Sequence, residues 1–231
     1  MTVRLTREQL AEAYGEENLL TIPADRLPDL LIHQPTRDFL TSVGLPDSTA
    51  GGLVDVDEAF AAGLPPMSEH EYFGSGEHGG WELPAMCADF LLLGDWNSAV
   101  LGVVGLNPRT GAVYVVSEME YEDEAALLNS DITCLAYFLY ILDRAHQPDF
   151  DPARFLPPGA VRADREELLS ERIRHVLRQA DPAALEGGTA SGRASWRIWT
   201  CSDRPALSKT TPCPTSSNVS NWSRYSAPKA C

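Results

Sequence analysis

The residue types best suited to chemistry cluster between positions 69 and 79. Glu69, His70, Glu71, Glu77 and His78 offer the imidazole and carboxylate groups that bind zinc or iron. Their spacing fits no helix-borne i, i+4 ligand pair, and the segment reads as a solvated acidic loop. Such a loop lacks the rigid outer support that a metal site needs. Overlapping it, Gly74-Ser75-Gly76-Glu77-His78-Gly79 matches the letters G-x-G-x-x-G. That pattern cradles a pyrophosphate only where a strand precedes it and a helix follows, so that helix amides face the phosphate. Here Ser68-Glu69-His70-Glu71 precedes it and Gly80-Trp81-Glu82-Leu83-Pro84 follows, and the acids would repel phosphate.

For nucleophilic catalysis the inventory is poor. No serine lies in a G-x-S-x-G elbow. Cys87 and Cys134 each sit in an apolar segment, where a cysteine serves as a small buried hydrophobe. Cys201, Cys213 and Cys231 show no Cys-x-x-Cys spacing and have no nearby histidine, so zinc spacing is absent. His33, His146 and His175 are isolated, the last two placed near helix ends, where a cation is favourable. Carboxylates are so abundant that no pair stands out. With no constellation of nucleophile, base and orienting group, the expectation is a non-enzyme that uses neither metal nor cofactor.

One further run can do chemistry of another kind. Glu118, Met119, Glu120, Tyr121, Glu122, Asp123 and Glu124 directly follow an apolar strand pattern. A charge run of this length reads as a solvated connection. The functional alternative is a docking edge for a basic protein, with Met119 and Tyr121 as contact side chains. These seven residues are the candidate protein-binding site.

The charge is unevenly placed. Residues 1–187 hold 12 Arg, no Lys and 32 acidic residues, a net −20, whereas residues 188–231 hold 4 Arg, 2 Lys and one Asp, a net +5. A surface at −20 repels nucleic-acid phosphate and anionic lipid and attracts basic proteins. No apolar run approaches the roughly 18 residues of a membrane helix. Arg4 is followed by no apolar stretch of the secretory kind, so the expected location is the cytoplasm.

The elements that must position these residues are well punctuated. Thr6 can cap a first helix, with Gln9 closing a capping box, Leu5 and Leu10 forming a staple, and Gly15 ending it. Pro35 starts a second, two-turn helix over residues 36–43 that ends at Gly44, with Phe39, Leu40 and Val43 on its apolar face. Residues 46–80 are rich in Gly, Pro and acid, and only residues 52–56 suggest a strand. Residues 86–93 predict a strand ending at Gly94-Asp95, and residues 99–106 a second. Asn107-Pro108-Arg109-Thr110-Gly111 has hairpin-turn chemistry, followed by a third strand over residues 112–116. Strands apolar on both faces imply a sheet covered by helices.

Ser130 is placed to cap a long helix to about His146, with Ile132, Leu135, Ala136, Leu139 and Leu142 on one stripe. Asp164 and Glu167 open the last helix, whose stripe is Leu168, Leu169, Ile173, Val176 and Leu177, and Asp181-Pro182 ends it. The order has no βαβ alternation, so the class is α+β, a mainly antiparallel sheet flanked by helices. After Gly187 the periodicity disappears: residues 188–231 contain no Glu and are dense in Ser and Thr, as in a disordered tail. A shifted reading frame is a second reading of that tail. The body lacks Lys and is rich in Ala, Leu, Gly, Pro and Arg, as GC-rich coding DNA dictates, and such DNA read out of frame gives this abrupt change of composition. The domain is therefore placed at 1–187 and the appendage at 188–231.

The distributed pattern resembles the SUKH superfamily, specifically its fourth group of bacterial immunity proteins. The residues that carry the likeness run from Pro23, Leu27 and Pro28 through Thr36-Arg37-Asp38-Phe39-Leu40 and Gly44-Leu45-Pro46. They continue with Leu93-Gly94-Asp95, Leu101-Gly102-Val103-Val104, Thr110-Gly111-Ala112-Val113-Tyr114 and Leu128-Asn129-Ser130-Asp131. Order and spacing matter here more than any one piece, and the likeness spans about residues 5–180. It implies an α+β fold and a non-enzymatic protein that binds and neutralises a cognate toxin, often one acting on nucleic acid. The family has no shared catalytic residues to carry over, and the matched glycines and prolines are turn and cap positions. The implied partner is a toxin domain, with neither nucleic acid nor membrane bound. A scaffold or regulatory protein-binding module stays open as a second reading, and a metal-dependent enzyme using the loop from His70 to His78 as a third.

Overall fold

A computed structural model describes residues 5–47, 49, 53–56, 60, 63–73, 80–97, 101–117, 125–145, 147, 149–156 and 169–186. Helix α1 (Arg7–Tyr14) starts as its sequence dictates. The Thr6 hydroxyl accepts the Gln9 amide at 3.3 Å, and the Gln9 side chain accepts the Thr6 amide at 2.9 Å, closing the capping box. Leu5 and Leu10 are both buried, and Gly15 leaves the helix at φ +90°. Helix α2 (Gln34–Ser42) carries Pro35 in its first turn and buries Phe39 and Leu40, with Val43 half-buried behind them. It begins two residues earlier than expected. Between the helices, β1 (Leu19–Leu20) pairs antiparallel with β2 (Leu45–Pro46), so Leu45-Pro46 is a strand as well as a helix stop.

The main sheet has the order β3-β4-β5-β6-β7 and every neighbour is antiparallel. It is built from β3 (Val54–Val56), β4 (Leu91–Asn97), β5 (Leu101–Leu106), β6 (Val113–Val116) and β7 (Ala126–Asn129). Two strand expectations need correction. The apolar run at 86–93 is not one strand: Pro84 opens a 3-10 turn over Ala85–Cys87, and β4 starts only at Leu91. Nor does Gly94 end the strand. It sits at a register shift in the β4–β5 pairing with φ +151°, and a Cβ there would run into the Asp55 carbonyl. Strand β7 was not expected at all. It follows β6 through residues 118–124 and pairs with it along the sheet edge.

One face of the sheet packs on helices. Val54, Leu91, Leu93, Trp96, Val104, Leu106, Val113, Val115 and Leu128 join the core formed with α1, α2, α3 (Ile132–Arg144), α4 (Leu169–Ala180) and α5 (Pro182–Glu186). Helix α3 lies at the centre of that layer against α1, α2, α4 and β7. It buries Phe138, Tyr140 and Ile141 besides the expected stripe, so it is apolar nearly all round rather than along one seam. Each such large side chain contributes about 1.5–3 kcal/mol by leaving water. The cap of α3 is Asp131, whose Oδ1 accepts the Cys134 amide at 2.8 Å, and not Ser130.

Among the described residues, no α-helix lies over the other face, where one was expected. Residues 63–73 and 80–90 lie over it as irregular chain with two 3-10 turns. They bring Met67, Phe73, Cys87 and Phe90 onto Leu92, Val103 and Val116 to form a second, smaller core. Gly105 keeps this layer close, because a Cβ there would meet the Met67 sulfur and the Phe90 ring.

Candidate functional site

The acidic run Glu118, Met119, Glu120, Tyr121, Glu122, Asp123 and Glu124 lies outside the described residues. Its attachment points are described: Ser117 at the end of β6 and Ala125 at the start of β7. The run therefore joins two neighbouring strands, the second of which is the edge strand of the sheet.

The metal candidates separate. Glu77, His78 and the whole glycine motif at 74–79 fall outside the described residues. His70 is packed into the fold, whereas its neighbours Glu69 and Glu71 are exposed. Glu69 ends the 3-10 turn Met67–Glu69, and His70 is only 8% exposed. The His70 Nδ1 accepts the Tyr72 amide at 3.3 Å, and Nε2 lies 2.9 Å from Asp95 Oδ1 on β4. The imidazole ring also contacts Tyr72 at 4.8 Å and Phe73 at 6.3 Å between centroids. Tyr72 in turn stacks at 4.7 Å on Trp81. Sequence reasoning missed this pairing because Asp95 is far from His70 along the chain. An isolated histidine beside Tyr72 and Phe73 was the available signal.

Asp95 also has an acidic neighbour. The β3–β4 register sets Asp55 directly opposite it, and Asn97 Nδ2 donates to Asp55 Oδ2 at 2.6 Å. Burial pushes the Asp55 carboxyl up, the Asp95 charge adds to this, the Asn97 bond opposes it, and Asp47 adds a little more. Tyr72 is likewise raised, first by burial and then by the charges of Asp95 and Glu71. The cluster is thus acidic and aromatic. Among the described residues no group of three or more His, Cys, Asp or Glu is placed to hold a metal ion.

The nucleophile candidates are chemically quiet. Cys87 is buried, and burial pushes its thiol up to about 11. Cys134 is pushed up to about 12 by burial and by the charges of Asp131 and Asp181. Both stay protonated near neutral pH, whereas attack needs the thiolate. His33 is not isolated: Nδ1 lies 2.8 Å from the Thr36 hydroxyl, beside Gly111 of the β5–β6 hairpin. His175 falls in the middle of α4 rather than near its end.

A buried carboxylate that sequence reasoning took only for a helix stop has a larger role. Asp181 is 2% exposed and links three elements. Its Oδ2 accepts the Ser130 amide at 2.7 Å and the Asn129 side-chain amide at 3.3 Å. Its Oδ1 accepts the Ala184 amide at 3.4 Å, so it caps α5 while fixing the β7–α3 junction. The acidic run leads directly into β7, so Asp181 steadies the strand on which that run is mounted. The only sequence signal for this was Asp181-Pro182 itself.

No described helix is long and apolar enough to cross a membrane. Comparison with curated proteins and with solved structures returned no match. A family model described as SUKH-4 immunity protein matches residues 5–200, past the compositional boundary at 187. That span takes in both sheets, the helical layer and the irregular second layer, and the chain belongs to the SUKH-4 immunity protein family.

Proposed function

We propose that this protein works in the cytoplasm as an antidote, binding a cognate basic toxin domain that acts on nucleic acid and neutralising it by occlusion. It does so without catalysing a reaction. The observation that carries this reading is the charge of residues 1–187, a net −20 without a single lysine. A toxin that acts on nucleic acid presents cationic surface to phosphate, and an acidic protein competes for that surface. Family membership supports the immunity role. The quiet thiols and the structural partners of His70 and His33 support the absence of catalysis.

The encounter face is the acidic run of Glu118, Glu120, Glu122, Asp123 and Glu124, with Met119 and Tyr121 among them. Its place between β6 and the edge strand β7 supports that assignment. Charge of this kind acts mainly on the association rate and fades as salt rises. The test is the association rate with the toxin domain encoded beside this gene, at low and at high ionic strength. Replacing the five acids by their amides lowers the low-salt rate by about tenfold or more, and the two proteins converge at high salt. Equal, salt-independent rates would remove the run from the interface.

Residues 1–187 form the binding domain in this reading, and 188–231 are an appendage. Because the family match reaches residue 200, chains ending at 187 and at 200 are both compared with the full chain. Equal affinity of all three supports the boundary at 187, and loss at 187 but not at 200 moves it. Alternate frames of the gene after codon 187 that encode no acidic, apolar-patterned continuation dispose of the frameshift reading.

A further inference from the structure

The described residues expose four large hydrophobic side chains, and three of them lie on two segments tied to the β5–β6 hairpin. Ile32 is 63% exposed, Met86 51% and Leu30 40%. Leu30 and Ile32 alternate with buried neighbours: Leu27 and Leu31 anchor the same segment in the core. The segment has no regular structure, yet it is clamped from several sides. Arg37 Nη1 donates to the carbonyls of Pro28 at 3.3 Å and Leu31 at 2.9 Å. The amides of Ile32 and His33 both donate to the Pro108 carbonyl of the hairpin, at 3.1 and 3.2 Å. The same hairpin reaches the segment that exposes Met86 through Arg109, whose Nη2 lies 3.5 Å from Asp89 Oδ2.

Large aliphatics held out into water on a clamped loop do nothing for the stability of their own chain. They are well suited to a partner, because a loop already fixed in place loses little freedom on binding. A cluster of exposed apolar side chains rimmed by polar groups marks such a contact. Exposed Asp29 adjoins Leu30 along the chain, and exposed Asp89, which pairs with Arg109, follows Met86 by three residues. A second copy of this chain is a poor occupant, since it brings the same net −20 over residues 1–187. A cationic protein is attracted by that charge and meets exposed apolar side chains neighboured by Asp29 and Asp89.

We propose that Leu30, Ile32 and Met86 form the apolar anchor by which this protein holds its basic toxin. The anchor rests on the toxin-binding reading above and adds a second contact to it. It lies at the Val113 end of β6, whereas the acidic run leaves from the Val116 end. The two contacts have separable kinetic roles: the acidic run speeds encounter, and the anchor sets residence time.

The test uses the full chain and the toxin domain encoded by the neighbouring gene, with both rate constants measured by surface-based kinetics. The variants are the double substitution Leu30→Ser with Ile32→Ser, the single Met86→Ser, and Ile32→Arg, which sets a like charge against a basic partner. The double variant and Ile32→Arg raise the dissociation rate by about tenfold or more, leave the association rate within about threefold, and melt with the unaltered protein. Met86→Ser gives a smaller rise of the same kind. If the unaltered protein binds and these variants release toxin no faster, the anchor is overturned while the toxin reading stands. If light scattering shows a dimer that the double variant dissociates, the face belongs to a second copy and the anchor is again overturned. If the unaltered protein itself neither binds nor protects, the toxin reading fails and takes the anchor with it.

Discussion

Replacing Asp181 by alanine leaves the buried Asn129 side-chain amide without an acceptor and returns the part-buried Ser130 amide to water. It also removes the cap of α5 at the Ala184 amide. An orphaned buried donor costs about 1–3 kcal/mol and a lost cap about 1 kcal/mol, and these losses overlap because they share one side chain. The expected net loss is about 2–3 kcal/mol, a large fraction of the 5–15 kcal/mol that stabilises an ordinary domain. For a domain of this size each kcal/mol lowers the melting temperature by about 2–4 °C, so Asp181→Ala melts about 8 °C lower. Asp181→Asn keeps an acceptor oxygen and loses about half as much. Thermal melts followed by circular dichroism, with urea titrations as a second route to the free energy, read both variants. A loss below about 0.5 kcal/mol for Asp181→Ala, within the scatter of ordinary surface substitutions, would refute the role assigned to this carboxylate.

Two further outcomes follow from the charge and burial of named side chains. Asp55 faces Asp95 across β3 and β4, and its raised carboxyl means the folded state holds that proton more tightly than the unfolded chain does. Its penalty therefore appears as pH rises through that range, and Asp55→Asn stabilises the protein at neutral pH by about 0.2–1 kcal/mol and by nothing near pH 3. Urea midpoints at the two pH values check this, and an equal gain at both would exclude the charge pair as the cause. Cys87, pushed up to about 11, and Cys134, pushed up to about 12, stay protonated in the fold while an unfolded thiol ionises near about pH 8.5. Both escape a maleimide at about pH 8 in the native protein and react in urea by peptide mapping, and their contribution to stability declines as pH rises from about 8.5 toward 11. Rapid native labelling of either one would contradict its burial.

What could be read ahead of the structure was local. The Thr6 and Gln9 capping box, the proline-started α2, the Asn107 to Gly111 turn and the stripe of α3 depend on residues within a few positions of one another. Longer-range features did not show. Strand β7 is four residues of Ala, Leu, Leu and Asn, whose composition suits a helix as well as a strand, and pairing with β6 decides the matter. The apolar run at 86–93 could not reveal where a 3-10 turn hands over to β4, because the exposed Met86 of the turn is as apolar as the buried leucines of the strand. The second layer escaped for a similar reason: residues 63–73 carry no period, and only Met67 and Phe73 settling on Val103 and Val116 make them a core.

The candidate site was read even less fully. The acidic run was visible as composition, and its attachment to an edge strand was not. His70 looked like part of a solvated loop because its partner Asp95 is supplied by another strand. The clamp on Leu30 and Ile32 depends on Arg37 and Pro108, contacts that appear only once α2 and the hairpin are folded together.

The most direct test of toxin neutralisation is survival of cells expressing the neighbouring toxin domain, with and without this chain, alongside copurification of the two proteins. The expected result is rescue by the full chain and a stable complex, with rescue lost in a variant that combines the amide-substituted acidic run with Ile32→Arg yet still folds. Cells that die equally with and without the chain, with no complex recovered, would contradict the proposal at its centre.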